Sequence, residues 1–229
     1  MGSGIGKSTF IFFLSIISFA PALAEAGDLQ LPPAPAKVKP APEKTLGKNE
    51  GGVGLEAGET VPEFTTHTFD GKPIAFSELL QQAPLLVVFY RGGWCPYCNF
   101  QVRELSQAYP EFKKRGVMPV LISVDETDGS TLVKESYHIP FPVLSDPDLA
   151  AHEAFEVILR VSHDTYKTYK ANGLDLEEWS GRKHHRIAVP GVFLVDKSGV
   201  VQWAHTSKRY KIRPRVTQLL DMLDQRAAN

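Results

Sequence analysis

The sequence predicts an α/β fold: a mixed central sheet with helices on both faces and a β-hairpin extension on its N-terminal side. Three observations predict it. The apolar run at 85–90, a helical segment at 100–114 and a second apolar run at 117–124 make a strand–helix–strand unit, whose crossover should be right-handed. Before it, Asp70-Gly71 separates two short stretches, 65–69 and 72–76, as a tight turn separates the arms of a hairpin. Near the end, 192–196 and 200–205 flank Lys197-Ser198-Gly199 and read as a second hairpin.

The remaining elements follow in order. Residues 58–64 form an extended entry, and Ser77 is placed to cap a short helix. The helix at 100–114 should kink at Pro110. Residues 131–138 read as helix, 141–144 as a short strand and 149–161 as another helix. The stretch 162–186 is polar with aromatic interruptions (Tyr166, Tyr169, Trp179) and follows no clear period. Pro214 opens a last helix running to about residue 225.

The two ends differ from this pattern. Lys7 followed by an apolar core at 10–19 and Ala22-Leu23-Ala24 reads as a secretory signal peptide over 1–24, cleaved before Glu25, with an uncleaved N-terminal anchor as the alternative. The expected location is secreted or periplasmic, with no membrane attachment once cleaved. Residues 25–54 are rich in Pro, Ala and Lys, a composition that predicts a disordered linker. The folded domain is then 55–229. With a net charge of −1 and 43 % hydrophobic residues, the chain has the profile of neither a nucleic-acid binder nor a disordered protein. The basic run 182–186 reads as a solvated loop.

The chemistry concentrates at Arg91-Gly92-Gly93-Trp94-Cys95-Pro96-Tyr97-Cys98, which holds the only two cysteines. A Cys-x-x-Cys pair at a strand-to-helix junction puts its first sulfur at a helix N-terminus, where free N–H groups and the dipole favour the reactive thiolate. Such placement lowers a cysteine pKa from about 8.5 to roughly 3.5–7.5. Cys95 is therefore expected to have the depressed pKa and Cys98 to have none. A zinc site normally needs four ligands, and no second pair or finger-spaced histidines accompany this one. No cofactor or metal is expected.

Residues 89–98, 58–64, Asp70-Gly71-Lys72 and 189–196 together resemble the thioredoxin-fold superfamily, in its peroxiredoxin-like (alkyl hydroperoxide reductase/thiol-specific antioxidant) branch. The resemblance covers about 55–223, and Pro96-Tyr97 between the cysteines is a glutaredoxin-type dipeptide. It implies that Cys95 is the nucleophilic or peroxidatic cysteine and Cys98 the resolving one. It also implies that Pro190 is a cis-proline facing them, with Val189 and Pro190 offering backbone groups to substrate. Trp94 and Tyr97 would flank the site as a contact surface. The family pattern Pro-x-x-x-Thr-x-x-Cys, counted back from Cys95, finds Gly92 and Val88 in its threonine and proline slots, and Pro190 stands where the catalytic arginine is expected. Arg91, Arg160 and Arg186 are the candidate substitutes.

The reading is an exported thiol-dependent enzyme cycling between a Cys95/Cys98 dithiol and disulfide, reducing disulfides and/or peroxides and regenerated by a thioredoxin-like electron donor. With the pocket donors absent, disulfide exchange should exceed peroxide turnover. One alternative is a true thioredoxin-dependent peroxidase. Another is a copper carrier holding Cu(I) on the cysteine pair with His184, His185 or His205.

Overall fold

Strands and helices alternate through the residues that the computed structural model describes, 1–2 and 29–228. A two-residue strand, β1 (Lys39–Pro40), comes first. The hairpin β2 (Thr65–Thr68) and β3 (Pro73–Ala75) leads into α1 (Phe76–Gln82) and β4 (Leu85–Phe89). Then come α2 (Pro96–Gln107), α3 (Tyr109–Lys114), β5 (Met118–Ser123), α4 (Thr127–Ser136) and β6 (Val143–Ser145). The next stretch holds α5 (Ala150–Ala154), β7 (Ile158–Arg160), α6 (His163–Ala171), α7 (Leu176–Ser180) and β8 (Arg186–Ala188). The last elements are β9 (Gly191–Val195), β10 (Val201–Thr206), β11 (Ile212–Arg213) and α8 (Val216–Ala227).

The main sheet has seven strands in the order β10-β9-β4-β5-β6-β2-β3. Both expected hairpins are present, and β4, β5 and β6 are parallel. All five residues of β4 are buried, because a central strand covered on both faces alternates between two cores rather than between core and water. Leu86, Val88 and Tyr90 point into one cluster with both cysteines, Val102 and Leu219. Leu85, Val87 and Phe89 point into the other, where Phe64, Phe76, Phe155 and Phe193 stack edge and face. The reactive pair thus lies at the C-terminal end of the most buried strand.

Two expected helices need correction. The kinked helix at 100–114 is two helices separated at Ala108 (ψ 4°), with Pro110 in the first turn of the second, where its missing N–H removes no helical bond. The helix expected at 149–161 stops at Ala154. Glu156 then takes a left-handed turn (φ 56°), and β7 pairs antiparallel with β8. The unassigned 162–186 region holds two capped helices, with Ser162 and Asp175 accepting the capping N–H groups.

The largest correction concerns 25–54. Residues 29–54 are not a free linker but a strap against the domain. β1 pairs in parallel with β11, Val38 and Ala41 are buried, and Asn49 Nδ2 bonds the Gly54 and Leu55 carbonyls. Arg215 bonds both Glu104 and the Val38 carbonyl, and Gln218 bonds the Ala41 carbonyl. Proline-rich composition removes donors from the strap without preventing its few apolar residues from docking. The expected signal peptide and Glu25 lie outside the described residues.

Burial of a valine side chain is worth about 1.5–3 kcal/mol, so Val38→Asp should release the strap. Limited trypsin digestion is expected to cleave the variant at Lys44 and Lys48 well before the domain, and to leave the wild-type strap intact at the same dose.

Candidate active site

The turn between β4 and α2 is shaped by two glycines. Gly92 has φ +143°, and a side chain there would run into the Trp94 ring at 2.3 Å. A Cβ on Gly93 would meet Val133 and Trp179 at 2.7 and 2.8 Å. The Gly93 N–H donates to Asp125 Oδ2 (2.7 Å), and its carbonyl accepts from Asn99 Nδ2 (2.8 Å). The turn is therefore tied to both the end of β5 and the first turn of α2.

Cys95 is the N-cap of α2 and Pro96 its first residue, as the pattern predicts. The Cys95 carbonyl accepts from the N–H groups of Cys98 and Asn99. Both thiols are free, and both residues are buried, Cys95 at 1 % exposure and Cys98 at 0 %. The donors converge on the second sulfur. Arg213 Nη2 lies 2.9 Å from Cys98 Sγ, and the Arg91 N–H donates to the same sulfur at 3.4 Å. Arg213 is itself buried and anchored by Nε to the Tyr210 carbonyl (2.8 Å) and by Nη1 to Gln101 Oε1 (3.2 Å). Gln101 in turn reaches the Pro214 carbonyl.

The donors thus favour the anion on the second sulfur, where the helix cap alone favours it on the first. Burial pushes the Cys95 thiol up, and its hydrogen bond to Cys98 adds to that push. Burial acts against Cys98 too, but there the Cys95 thiol, the Arg213 charge and the Arg91 N–H outweigh it and bring its pKa down to about 5. Counted back from Cys98 instead of Cys95, the threonine and proline slots of the family pattern fall on Cys95 and Arg91, and both are in the site.

The other expected residues are distributed unevenly. Arg91 is at the site, with its guanidinium 4.6 Å from the Trp94 ring, 4.3 Å from the Tyr210 ring, and bonded to Tyr169 Oη. Arg160 is exposed on β7, and Arg186 pairs with Glu153, so neither supplies the missing donor. Trp94 is buried and is no open contact surface. Tyr97 is half-buried, edge-on to Tyr210 at 5.7 Å.

Among the described residues there is no cis peptide bond, so Val189–Pro190 is trans. The Val189 N–H donates to the Val157 carbonyl and the Pro190 carbonyl accepts from Ser207, so these two groups are already paired within the fold. The histidines offered as copper ligands are engaged elsewhere: His184 with the Pro147 carbonyl, His185 with Glu177, His205 with the Thr45 carbonyl. No group of three or more His, Cys, Asp or Glu among the described residues is placed to hold a metal ion.

Sequence reasoning missed Arg213, Gln101, Asn99 and Asp125. The one signal was that Asn99 and Gln101 are polar residues in the helix that follows the cysteines. Nothing local marks Arg213, which lies 115 positions from Cys98.

A family model described as AhpC/TSA matches residues 57–204. The chain belongs to the AhpC/TSA family. Curated relatives include the chloroplastic peroxiredoxin Q of Oryza sativa subsp. japonica, 26 % identical over 185 residues, 80 % of this chain and 74 % of that one. The chloroplastic peroxiredoxin Q of Sedum lineare is 32 % identical over 46 % of this chain and 56 % of its own length. The thiol-disulfide oxidoreductase ResA of Bacillus thuringiensis is 28 % identical over 64 % of this chain and 68 % of that one. The fold matches the peroxidoxin BcpB of Mycobacterium tuberculosis with TM-score 0.59 at 19 % identity, over 75 % of this chain and 97 % of that one. The chain is a thiol-dependent, peroxiredoxin-like oxidoreductase with a thioredoxin-like α/β fold. Arg213 lies beyond the matched stretch.

Two measurements check the electrostatics. Thiolate absorbance near 240 nm in the reduced protein should titrate with a midpoint near 5. That transition should vanish in Cys98→Ser, persist in Cys95→Ser and move upward in Arg213→Met; a low transition that survives in Cys98→Ser and is lost in Cys95→Ser contradicts the assignment.

Asp125 gives a second test. Burial raises its carboxyl from 3.8 to about 7 against the opposing Gly93 and Ser123 hydrogen bonds. The folded protein holds this proton more tightly than the unfolded chain, so the stability it contributes is complete below 3.8 and is lost as pH rises through about 7. Asp125→Asn, which does not titrate, should gain on the wild type in denaturant midpoint from about pH 4 to 8. A gap that does not change with pH would contradict it.

Proposed function

We propose that the protein is an exported thiol peroxidase in which Cys98 is the peroxide-attacking sulfur and Cys95 the resolving one. The observation that carries this reading is the pairing of a fully buried Cys98 Sγ with the Arg213 guanidinium. The expectation of weak peroxide turnover rested on a missing donor, and Arg213 supplies a cationic donor from another part of the chain. A site in which both sulfurs are buried also favours a slender peroxide over a bulky protein disulfide.

The chemistry runs in two steps. The Cys98 thiolate attacks one peroxide oxygen: an S–O bond forms, the O–O bond breaks, and the departing alkoxide or hydroxide takes a proton to leave as alcohol or water. Cys98 is then a sulfenic acid. The Cys95 thiol attacks that sulfur: an S–S bond forms, the S–O bond breaks, and hydroxide leaves with the Cys95 proton as water. An external thiol reductant returns the pair to the dithiol. Arg213 and the Arg91 N–H hold the sulfur anion before attack.

Stopped-flow oxidation by hydrogen peroxide tests the assignment. Loss of one fixed donor of this kind lowers rates by about 10²–10³, so Arg213→Met should fall by that order, with Arg213→Lys retaining part of the rate. Cys95→Ser should react once and accumulate a dimedone-reactive sulfenic acid at Cys98, whereas Cys98→Ser should react little faster than a free thiol. Rapid turnover in Cys98→Ser would sink the assignment.

Export rests on the pattern of Lys7, the apolar core 10–19 and Ala22-Leu23-Ala24. Mass spectrometry of protein recovered from its host should find Glu25 at the N-terminus.

A further inference from the structure

A groove of about 550 Å³ opens beside Tyr97, between the N-terminal strap and the loop that carries Arg213. Tyr97, Tyr210 and Ile212 give it an apolar floor, and Lys37, Lys39, Lys208, Arg209 and Lys211 ring it. All five cations are exposed. None of them has an ion-pair partner within 4 Å among the described residues, whereas Arg115, Arg182, Arg186 and Arg215 do. No carboxylate lines the groove. Glu50, beside the loop, is bonded to Ser207 Oγ and the Lys208 N–H. Lys211 Nζ sits over both tyrosine rings, 5.5 Å from Tyr97 and 5.7 Å from Tyr210.

The groove is tied to the reactive pair from two sides. Tyr97 is one of the two residues between the cysteines. The Tyr210 carbonyl holds Arg213, whose guanidinium touches Cys98 Sγ. The pairing of β1 with β11 keeps the strap's lysines opposite the loop's. Five positive charges ring the groove, with only the Glu50 carboxylate acting on one of them, Arg209, so they repel one another and an anionic ligand relieves that repulsion.

We propose that this groove docks the reductant that regenerates the enzyme, and that the reductant is a low-molecular-weight thiol bearing carboxylates. The inference rests on the thiol-peroxidase reading, which needs an external thiol to close its cycle. A cationic groove serves such a thiol twice. It draws the carboxylates in, and it stabilises the thiolate, which is the form that attacks a disulfide. The volume is within the usual range for small-molecule sites, about 300–1,000 Å³. Burial of both sulfurs favours a cysteine on a slender carrier over one on a folded protein.

In the step itself the bound thiolate attacks Cys95 Sγ of the disulfide, and the S–S bond breaks with Cys98 leaving as the thiolate that Arg213 stabilises. The sulfur of lower pKa is the better leaving group. A second thiolate then attacks the mixed disulfide, releases the oxidised reductant and leaves Cys95 to take a proton. Two electrons have entered the pair.

The test uses the full-length protein oxidised to the Cys95–Cys98 disulfide. Its reduction is followed by quenched alkylation with glutathione, glutathione diethyl ester and 2-mercaptoethanol, compared at equal thiolate concentration. Glutathione is expected to react at least tenfold faster than its ester at low ionic strength, with the advantage shrinking towards 1 M salt as screening shortens to about 3 Å. The triple variant Lys39→Gln/Lys208→Gln/Lys211→Gln should bring glutathione down to the ester's rate, with peroxide oxidation of the reduced enzyme unchanged. Equal rates for acid and ester, or an acid advantage that survives in the variant, overturn the proposal. If an acidic thioredoxin-type protein is instead the faster reductant and the variant lowers only its rate, the groove docks a protein and the small-thiol assignment is wrong. A groove preference that persists in an enzyme failing to consume peroxide overturns the peroxidase reading and leaves the groove standing.

Discussion

The contact between the Arg213 guanidinium and Cys98 Sγ is the interaction on which the rest of the site depends. Each group is buried, and the guanidinium lowers the cost of holding a thiolate there. A buried charge is unfavourable, so removal of the arginine pushes the Cys98 thiol up, with the Cys95 thiol and the Arg91 N–H left to oppose burial. Arg213 in turn stays in place because the Tyr210 carbonyl and Gln101 accept its other protons, and Gln101 is held to the Pro214 carbonyl. β11, which contains Arg213, pairs with β1. A strap of prolines and lysines nearly sixty residues before the cysteines thus helps position the cation that charges one of them.

A second set of bonds fixes the elbow. Asp125 accepts from Gly93 and Ser123, and Asn99 donates back to the Gly93 carbonyl. These bonds join the ends of two neighbouring parallel strands to the start of α2, which is where open α/β sheets commonly place their chemistry. The elbow sets where the sulfurs sit, and the Arg213 contact sets which of them carries charge.

That division explains what could be read from the sequence. The Cys-x-x-Cys junction, both hairpins and the strand–helix–strand unit were legible because each is written within about ten to forty consecutive residues, in periodicity and turn chemistry. The AhpC/TSA membership expected from residues 89–98 and 189–196 is borne out. The strap was misread because composition reports average burial, and Val38 and Ala41 dock as single residues inside a stretch that is otherwise polar and proline-rich. Arg213 was invisible because its role depends on contacts with Cys98 and Gln101 more than a hundred positions away. Pro190 was read by analogy, while the backbone groups at that point are already used by Val157 and Ser207.

The proposed exchange of roles between the two cysteines comes down to magnitudes. A helix N-terminus stabilises a nearby anion by typically about 0.3–1 kcal/mol, and a sequence shows only this contribution, at Cys95. A hydrogen bond to a charged group is worth about 1.5–3 kcal/mol. The direct attraction between unit charges 4 Å apart adds about 4 kcal/mol at an effective dielectric constant near 20. The arginine charges act on both sulfurs, but the direct bonds reach only Cys98, which also lies within the first turn of α2 and so shares the favourable end of the helix. With one negative charge to place on two buried sulfurs, the arginine outweighs the cap. The usual expectation that the first cysteine of such a pair is the charged one holds where backbone donors dominate, and in this chain a side chain dominates them.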